Sequence, residues 1–389
     1  MINIITKLLN DKNIEWKPLG KLLIRTKGTK ITASQMKELH KNDAPLKIFA
    51  GGKTFALVNF DDIPKKDINR EPSIIVKSRG IIEFEYYDKP FSHKNEMWSY
   101  HSKDKNINIK YIYYILKNQE KYFQNLGSKM QMPQIATPDT DKFEIPIPSI
   151  FVQTEIVRIL DTFTALTAEL TAELTAELTT RKKQYNYYRD KLLTFKEDEV
   201  EWKTLGEVAH YSNTRIRFDK LNEKNYVGVD NLLQNRAGKT DSNHVPKEGN
   251  FTEYLTNDIL IGNIRPYLKK IWQAEYFGGT NGDVLVIRPK NDLLFHRYLY
   301  HVLADDNFFE YNMQHAKGAK MPRGNKEAIL KYHLPIPPLK EQARIVEILD
   351  KFDTLTNSIT EGLPREIALR QKQYEYYRNL LLDFPKAEQ

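Results

Sequence analysis

The stretch LTAELTAELTAEL, Leu166 to Leu178, repeats one four-residue phrase without interruption. It places Leu166, Leu170, Leu174 and Leu178 along one side of a helix. Ala, Leu and Glu are strong helix formers, and neither Gly nor Pro occurs between Phe151 and Phe195. The apolar stripe extends backward through Ile156, Ile159 and Phe163, and forward through Tyr185, Tyr188, Leu192 and Phe195. A helix of that reach is roughly 65 Å long. It needs a second long element to cover its stripe.

That second element is legible further along. At an offset of 189 residues the stripe returns as Ile345, Ile348, Phe352, Leu355, Ile359, Leu363, Ile367, Tyr374, Tyr377, Leu381 and Phe384. The flanks repeat too: FEIPIPSIFVQTEIVRILDTFTAL (143–166) answers YHLPIPPLKEQARIVEILDKFDTL (332–355), and RKKQYNYYRDKLLTF (181–195) answers RQKQYEYYRNLLLDF (370–384). The chain is a tandem duplication. The expected fold is α+β: two tandem-duplicated α/β domains separated by two long antiparallel coiled-coil helices, with pseudo-two-fold symmetry. In TEGLPRE (360–366), Gly362 and Pro364 interrupt the second helix, so a kink or break is expected there.

The remaining sequence divides accordingly. Residues 1–14 read as an extension, 15–148 as a first domain, 149–200 as a first helical spacer, 201–338 as a second domain and 339–389 as a second spacer. EWKPLGKL (15–22) opens the first domain and EWKTLGEV (201–208) the second. Short apolar runs at 55–60, 74–76, 81–87, 226–229, 259–261 and 284–287 read as strands; 109–123 and 293–309 read as helices. IPIP (145–148) reads as a stiff extended link into the long helix.

Composition narrows the class. The net charge is +8, which favours a polyanionic partner. There is no cysteine, which excludes disulfides and thiolate zinc sites. No apolar run is long enough to span a bilayer, and the N-terminus lacks a secretory h-region, so a cytoplasmic location is expected.

Catalytic patterns are absent. FAGGKT (49–54) lacks the first glycine of a phosphate loop, since Lys47 stands there, and it reads as a turn between strands. The histidines have no metal-ligand spacing. Asp61–Asp62 and Asp305–Asp306 are adjacent pairs that point apart and read as solvated turns. A non-catalytic protein with no cofactor or metal of its own is expected. Binding signals are better. IIVKSRG (74–80) lies over LIGNIRP (260–266), FSHKN (91–95) over FGGTN (277–281), and GSKMQMPQ (127–134) answers GAKMPRGN (318–325). Arg and Lys reach guanine edges or phosphates, Gln and Asn pair with adenine, and Gly lets the backbone approach DNA. The candidate DNA-binding set is Lys53, Lys77, Ser78, Arg79, Lys94, Asn95, Ser128, Lys129, Gln131 and Gln134 in the first half. In the second it is Asn263, Arg265, Thr280, Asn281, Lys317, Lys320, Arg323 and Asn325. The spacer seam is assigned to Leu166, Leu170, Leu174, Leu178, Leu355, Ile359, Leu363 and Ile367.

These features together resemble the specificity subunit of a type I restriction–modification system. The resemblance rests on the E-W-K-x-L-G openings and on (I/L)-P-I-P-x-x-x-x-Q ending at Gln153 and Gln342. It rests also on R-x-x-Q-Y-x-Y-Y-R at 181–189 and 370–378, and on the TAEL array. It implies two target-recognition domains, each reading one half of a split site in double-stranded DNA, with the helices setting the unread gap. It also implies two methyltransferase subunits carrying S-adenosylmethionine and two restriction subunits as partners. A scaffold joining two protein-binding domains is the alternative.

Overall fold

The computed structural model describes residues 14–128, 132–290, 293–357 and 361–385. The extension at 1–13, Lys129, Gln131 and Ile359 lie outside the described residues. The chain forms two compact units, Met1–Ala168 with Gln371–Gln389, and Glu169–Arg370.

In the first unit the order is β1 (Glu15–Pro18), α1 (Leu19–Leu22), β2 (Ile24–Lys27), α2 (Ala33–Leu39), β3 (Leu46–Phe49), β4 (Phe55–Val58), β5 (Ser73–Lys77), β6 (Glu83–Tyr87), β7 (Phe91–His93) and β8 (Trp98–His101). There follow α3 (Ile109–Asn118), α4 (Glu120–Gly127), α5 (Thr137–Asp141), β9 (Glu144–Ile147) and the 44-residue helix α6 (Ile150–Leu193). The opening and closing phrases meet: β1 pairs antiparallel with β9, Trp16 opposite Pro146. The IPIP link is therefore a strand. Next to this ribbon stands a four-stranded sheet, β2-β8-β5-β6, and a three-stranded one, β4-β3-β7. The expected helix at 109–123 is two helices, broken at Gln119, whose ψ of 10° leaves the helical range.

The second unit repeats the plan with β10 (Glu201–Thr204), α7 (Leu205–Val208), β11 (Ala209–Tyr211), β12 (Arg215–Arg217), β13 (Tyr226–Val227), β14 (Asn250–Tyr254), β15 (Ile259–Gly262), β16 (Ile271–Gln273), β17 (Gly278–Thr280) and β18 (Val284–Pro289). Then come α8 (His296–Leu303), α9 (Asp306–Gln314), α10 (Lys326–Leu330), β19 (His333–Ile336), α11 (Leu339–Asn357) and α12 (Gly362–Leu382). β10 pairs with β19 as β1 does with β9. The four-stranded sheet β11-β18-β15-β16 matches β2-β8-β5-β6 strand for strand. The second spacer is two helices, and Gly362 at the start of α12 has φ +74°, a conformation glycine takes without a Cβ penalty.

Each unit takes helix from both halves of the chain. The first unit's core holds Val152, Ile156 and Leu160 from α6 and also Leu381 from α12, with Phe384 just beyond. Phe163 packs on Tyr377 at 5.6 Å, and Thr164 Oγ1 lies 3.0 Å from the Tyr374 hydroxyl, an antiparallel register. The second unit's core holds Tyr185 from the far end of α6 with Ile345 and Leu349 from α11. Tyr185 and Tyr188 both stack on Phe352. The spacer leucines are covered less than the stripe suggested. Leu170, Leu174, Leu178, Leu355, Leu363 and Ile367 are half-buried, and Leu166 remains 49% exposed.

The helix starts are clamped by one residue type. Gln153 donates through Nε2 to the Pro148 and Asn106 carbonyls (2.8 and 3.1 Å) and accepts from Asn108 N at 2.9 Å. Gln342 donates to the Pro337 and Leu293 carbonyls, both 2.9 Å, and accepts from Phe295 N at 2.9 Å. One turn pair further, Asp161 receives Lys110 Nζ and the Tyr114 hydroxyl, while Asp350 receives Arg297 and His301.

Burial holds the pKa of His93 and of His301 below the ordinary histidine value, although each has a hydrogen-bond partner. In the unfolded chain both take a proton near pH 6.5. The unfolded state then binds more protons, so stability falls as pH drops through that value, by at most about 1.4 kcal/mol per pH unit for each histidine. A urea midpoint that declines between pH 7 and 5 is expected; a midpoint that rises on acidification contradicts the assignment.

Candidate nucleic-acid interface

Backbone hydrogen bonds join two loop segments of each half, and the third, closed by a turn of its own, is tied to them by Ser78 Oγ donating to Glu96 O in the first unit and Asn263 N donating to Asp283 O (2.8 Å) in the second. In the first unit Gly80 N donates to Pro133 O (2.9 Å), Ile135 N to Ser78 O (3.0 Å) and Met97 N to Lys94 O (3.0 Å). In the second, Arg265 N donates to Pro322 O (2.7 Å), Gly324 N to Asn263 O (3.0 Å) and Val284 N to Asn281 O (3.3 Å). The same scaffold is built twice, at the ends of β5 and β15 and the starts of β8 and β18.

The equivalences differ from those of the bare sequence. Arg265 corresponds to Gly80 rather than to Arg79, and Asn263 to Ser78 rather than to Lys77. Asn281 corresponds to Lys94, and Arg323 to Gln134. Loops of unequal length shift the offset between segments, which one rigid alignment cannot follow. The backbone supports the structural register, because Gly80 and Arg265 both have positive φ, +74° and +53°.

Four of the expected contact residues are spent on the fold. Lys77 is buried, with Nζ 2.6 Å from Glu83 and 2.8 Å from Glu85; burial opposes its charge, and the two carboxylates raise its pKa regardless. Ser78 is buried and donates to Glu96 O, and Thr280 is buried and donates to Val227 O, each at 2.5 Å. Asn263 is buried beneath the loop, where Gly324 is required: a Cβ there would stand 2.6 Å from Asn263 Oδ1 and 2.4 Å from Asn312 Oδ1. Two others cap their neighbours. Ser128 donates to Asn125 O, and Asn325 accepts from Glu327 N and Ala328 N at the start of α10. Lys94 is mostly covered and paired with Glu96 at 2.8 Å, Gln134 is half-buried, and Asn281 is half-buried and accepts from Asp283 N.

The rest reach solvent. Lys53 sits in the β3–β4 turn, following Phe49, whose carbonyl accepts from Lys94 N. Arg79 and Asn95 are exposed. Arg265, Lys317 and Lys320 are exposed in the second unit, and Arg323, 58% exposed, reaches Asp283 at 2.9 Å. Exposed apolar side chains stand among them: Ile81 and Met132 in the first unit, Tyr267 and Met321 in the second. Met132 and Met321 precede equivalent prolines. Neither was singled out in the sequence, and the structure leaves both exposed. Guanidinium groups beside exposed apolar groups suit base edges and thymine methyls.

A family model described as the type I restriction modification DNA specificity domain matches residues 13–180 and again 197–369. The chain belongs to this family. Over 404 residues the subunit is 35% identical to the type I restriction enzyme EcoR124I/EcoR124II specificity subunit of Escherichia coli, covering 99% of this chain and 98% of that one. It is 33% identical to a putative type I restriction enzyme specificity subunit of Haemophilus influenzae, covering 98% of each. The fold is shared with the crystal structure of the type I restriction-modification S subunit from M. genitalium (TM-score 0.53, 19% identity, 97% and 98% covered). It is also shared with a chain solved in work on complex assembly and conformational transition of the type I R-M system (TM-score 0.59, 14% identity, 95% and 98% covered). This is a specificity subunit with two tandem target-recognition domains. No described helix is long and apolar enough to cross a membrane.

Proposed function

We propose that each target-recognition domain reads one half of a split site in double-stranded DNA, and that the spacer helices set the unread gap between the halves. The observation that carries this reading is the loop junction built twice on the same hydrogen bonds with different exposed side chains: Arg79 and Asn95 in one domain, Arg265, Lys320 and Arg323 in the other. A shared scaffold keeps register on the duplex, and differing side chains read different bases. The net charge of +8 supplies the sequence-independent attraction to phosphates.

On this reading the chain is non-catalytic and holds no cofactor. Two methyltransferase subunits, carrying S-adenosylmethionine, do the chemistry, and two restriction subunits complete the nuclease. The helical arms with the ribbons at their roots supply much of the methyltransferase-docking surface.

The test is sequencing of methylated sites in cells that express this subunit with its methyltransferase, with and without one TAEL unit. Four residues of helix contribute about 6 Å, on the order of one or two base-pair steps. The expected result is a bipartite motif whose gap shortens while both half-sites persist. A continuous motif, or methylation that ignores the subunit, defeats the reading and favours a scaffold.

A further inference from the structure

Among the described residues, five non-glycine positions adopt left-handed backbone: Asn235, Arg236, Asn257, Arg265 and Lys269. Four of the five gather in one place. Pro266–Leu268 forms a 3-10 turn flanked by Arg265 (φ 53°) and Lys269 (φ 50°). Asn235 and Arg236 (φ 55° and 65°) sit on the neighbouring loop, and Arg236 N donates to Lys269 O at 3.0 Å. Left-handed backbone is strained for a residue with a Cβ, so something must hold them there.

The holder is Asp306, at the start of α9. One carboxylate oxygen takes Lys269 Nζ at 2.5 Å and the Arg236 guanidinium as well. The other lies 3.3 Å from Arg189 Nη2. Arg189 belongs to α6 and is fully buried; its Nε reaches Asp305 at 2.8 Å. A single carboxylate thus joins the spacer helix to both strained loops, one of which carries Arg265 in the DNA-facing junction. The first domain solves the same problem otherwise: Gly80 stands where Arg265 does, and Arg378 meets the neutral Asn118 at 2.9 Å.

We propose that Asp306 is a specificity-positioning residue, fixing the shape of the loop that presents Arg265 and Tyr267 to the second half-site. It does not touch DNA on this account; it acts through Lys269 and Arg236. The inference rests on the split-site reading given above. The experiment compares methylated-site motifs of the wild type, Asp306→Asn and Lys269→Gln, each as a full chain with its methyltransferase, with thermal unfolding measured alongside. Arg323→Ala marks which half-site belongs to the second domain. Both test variants are expected to lose on the order of tenfold in base discrimination, the worth of one bidentate contact, at that half-site alone. If Asp306→Asn fails to fold, Lys269→Gln decides. A folded variant pair with an unchanged motif, or with both half-sites weakened equally, overturns the proposal. A wild-type motif that is not split defeats the underlying reading instead.

Discussion

Replacing Arg189 with alanine is expected to destabilise the second unit by about 3–5 kcal/mol, the usual cost of removing one partner from a buried ion pair. Arg189 is fully buried, and the Asp305 side chain it holds is 5% exposed. Without the guanidinium the buried Asp305 carboxyl has no cation against it, while Asp306 retains Arg236 and Lys269. Burial works against the Asp306 carboxylate, yet the Lys269 ammonium and the two guanidiniums pull its pKa down to about 2. Arg378→Ala, at the equivalent place in the first unit, breaks a bond to a neutral amide and is expected to cost only about 0.5–1.5 kcal/mol. Amide hydrogen exchange reads the two units separately. Equal losses in the two variants contradict the assignment.

Replacing Gln342 with alanine is the second large effect. Three backbone groups lose their bond to this side chain at once, the buried carbonyl of Pro337 and the partly buried carbonyl of Leu293 and amide of Phe295. A buried group left without its bond costs about 1–3 kcal/mol and the two partly buried ones less, so a total of roughly 2–4 kcal/mol is expected. Gln342→Glu separates this clamp from mere packing. A carboxylate fills the same space but donates to neither carbonyl, so it is expected to be as damaging as alanine in a urea titration. A glutamate variant close to wild type excludes the clamp. Gln153 in the first unit predicts the same pattern.

The large-scale plan was open to reading because duplication tests itself. Two stripes with the same flanks require two similar halves, and the Gly362–Pro364 pair foretold the break between α11 and α12. The phrases around the stripes were visible as repeats, but their work was not. Trp16 opposite Pro146 and Gln153 under Pro148 are contacts between distant segments, and spacing along the chain does not reveal them. The loop junction was half legible. All three segments were found, yet Lys77 and Thr280 proved to be interior, because a polar residue at a strand end points inward or outward according to its register. Asp305–Asp306 is the clearest miss. Adjacent carboxylates in a polar stretch read as a solvated turn; here they receive a buried arginine delivered from another helix.

The exchange of helix between the halves also has a consequence for biosynthesis. The first domain's core includes Leu381 and Phe384, which leave the ribosome more than two hundred residues after Leu160. At the usual 5–20 residues per second this is a delay of roughly 10–45 s. For that interval the nascent first domain shows the apolar seat meant for the end of α12. The domain made first is the last to be completed, and its exposed seat is where a chaperone would bind the growing chain.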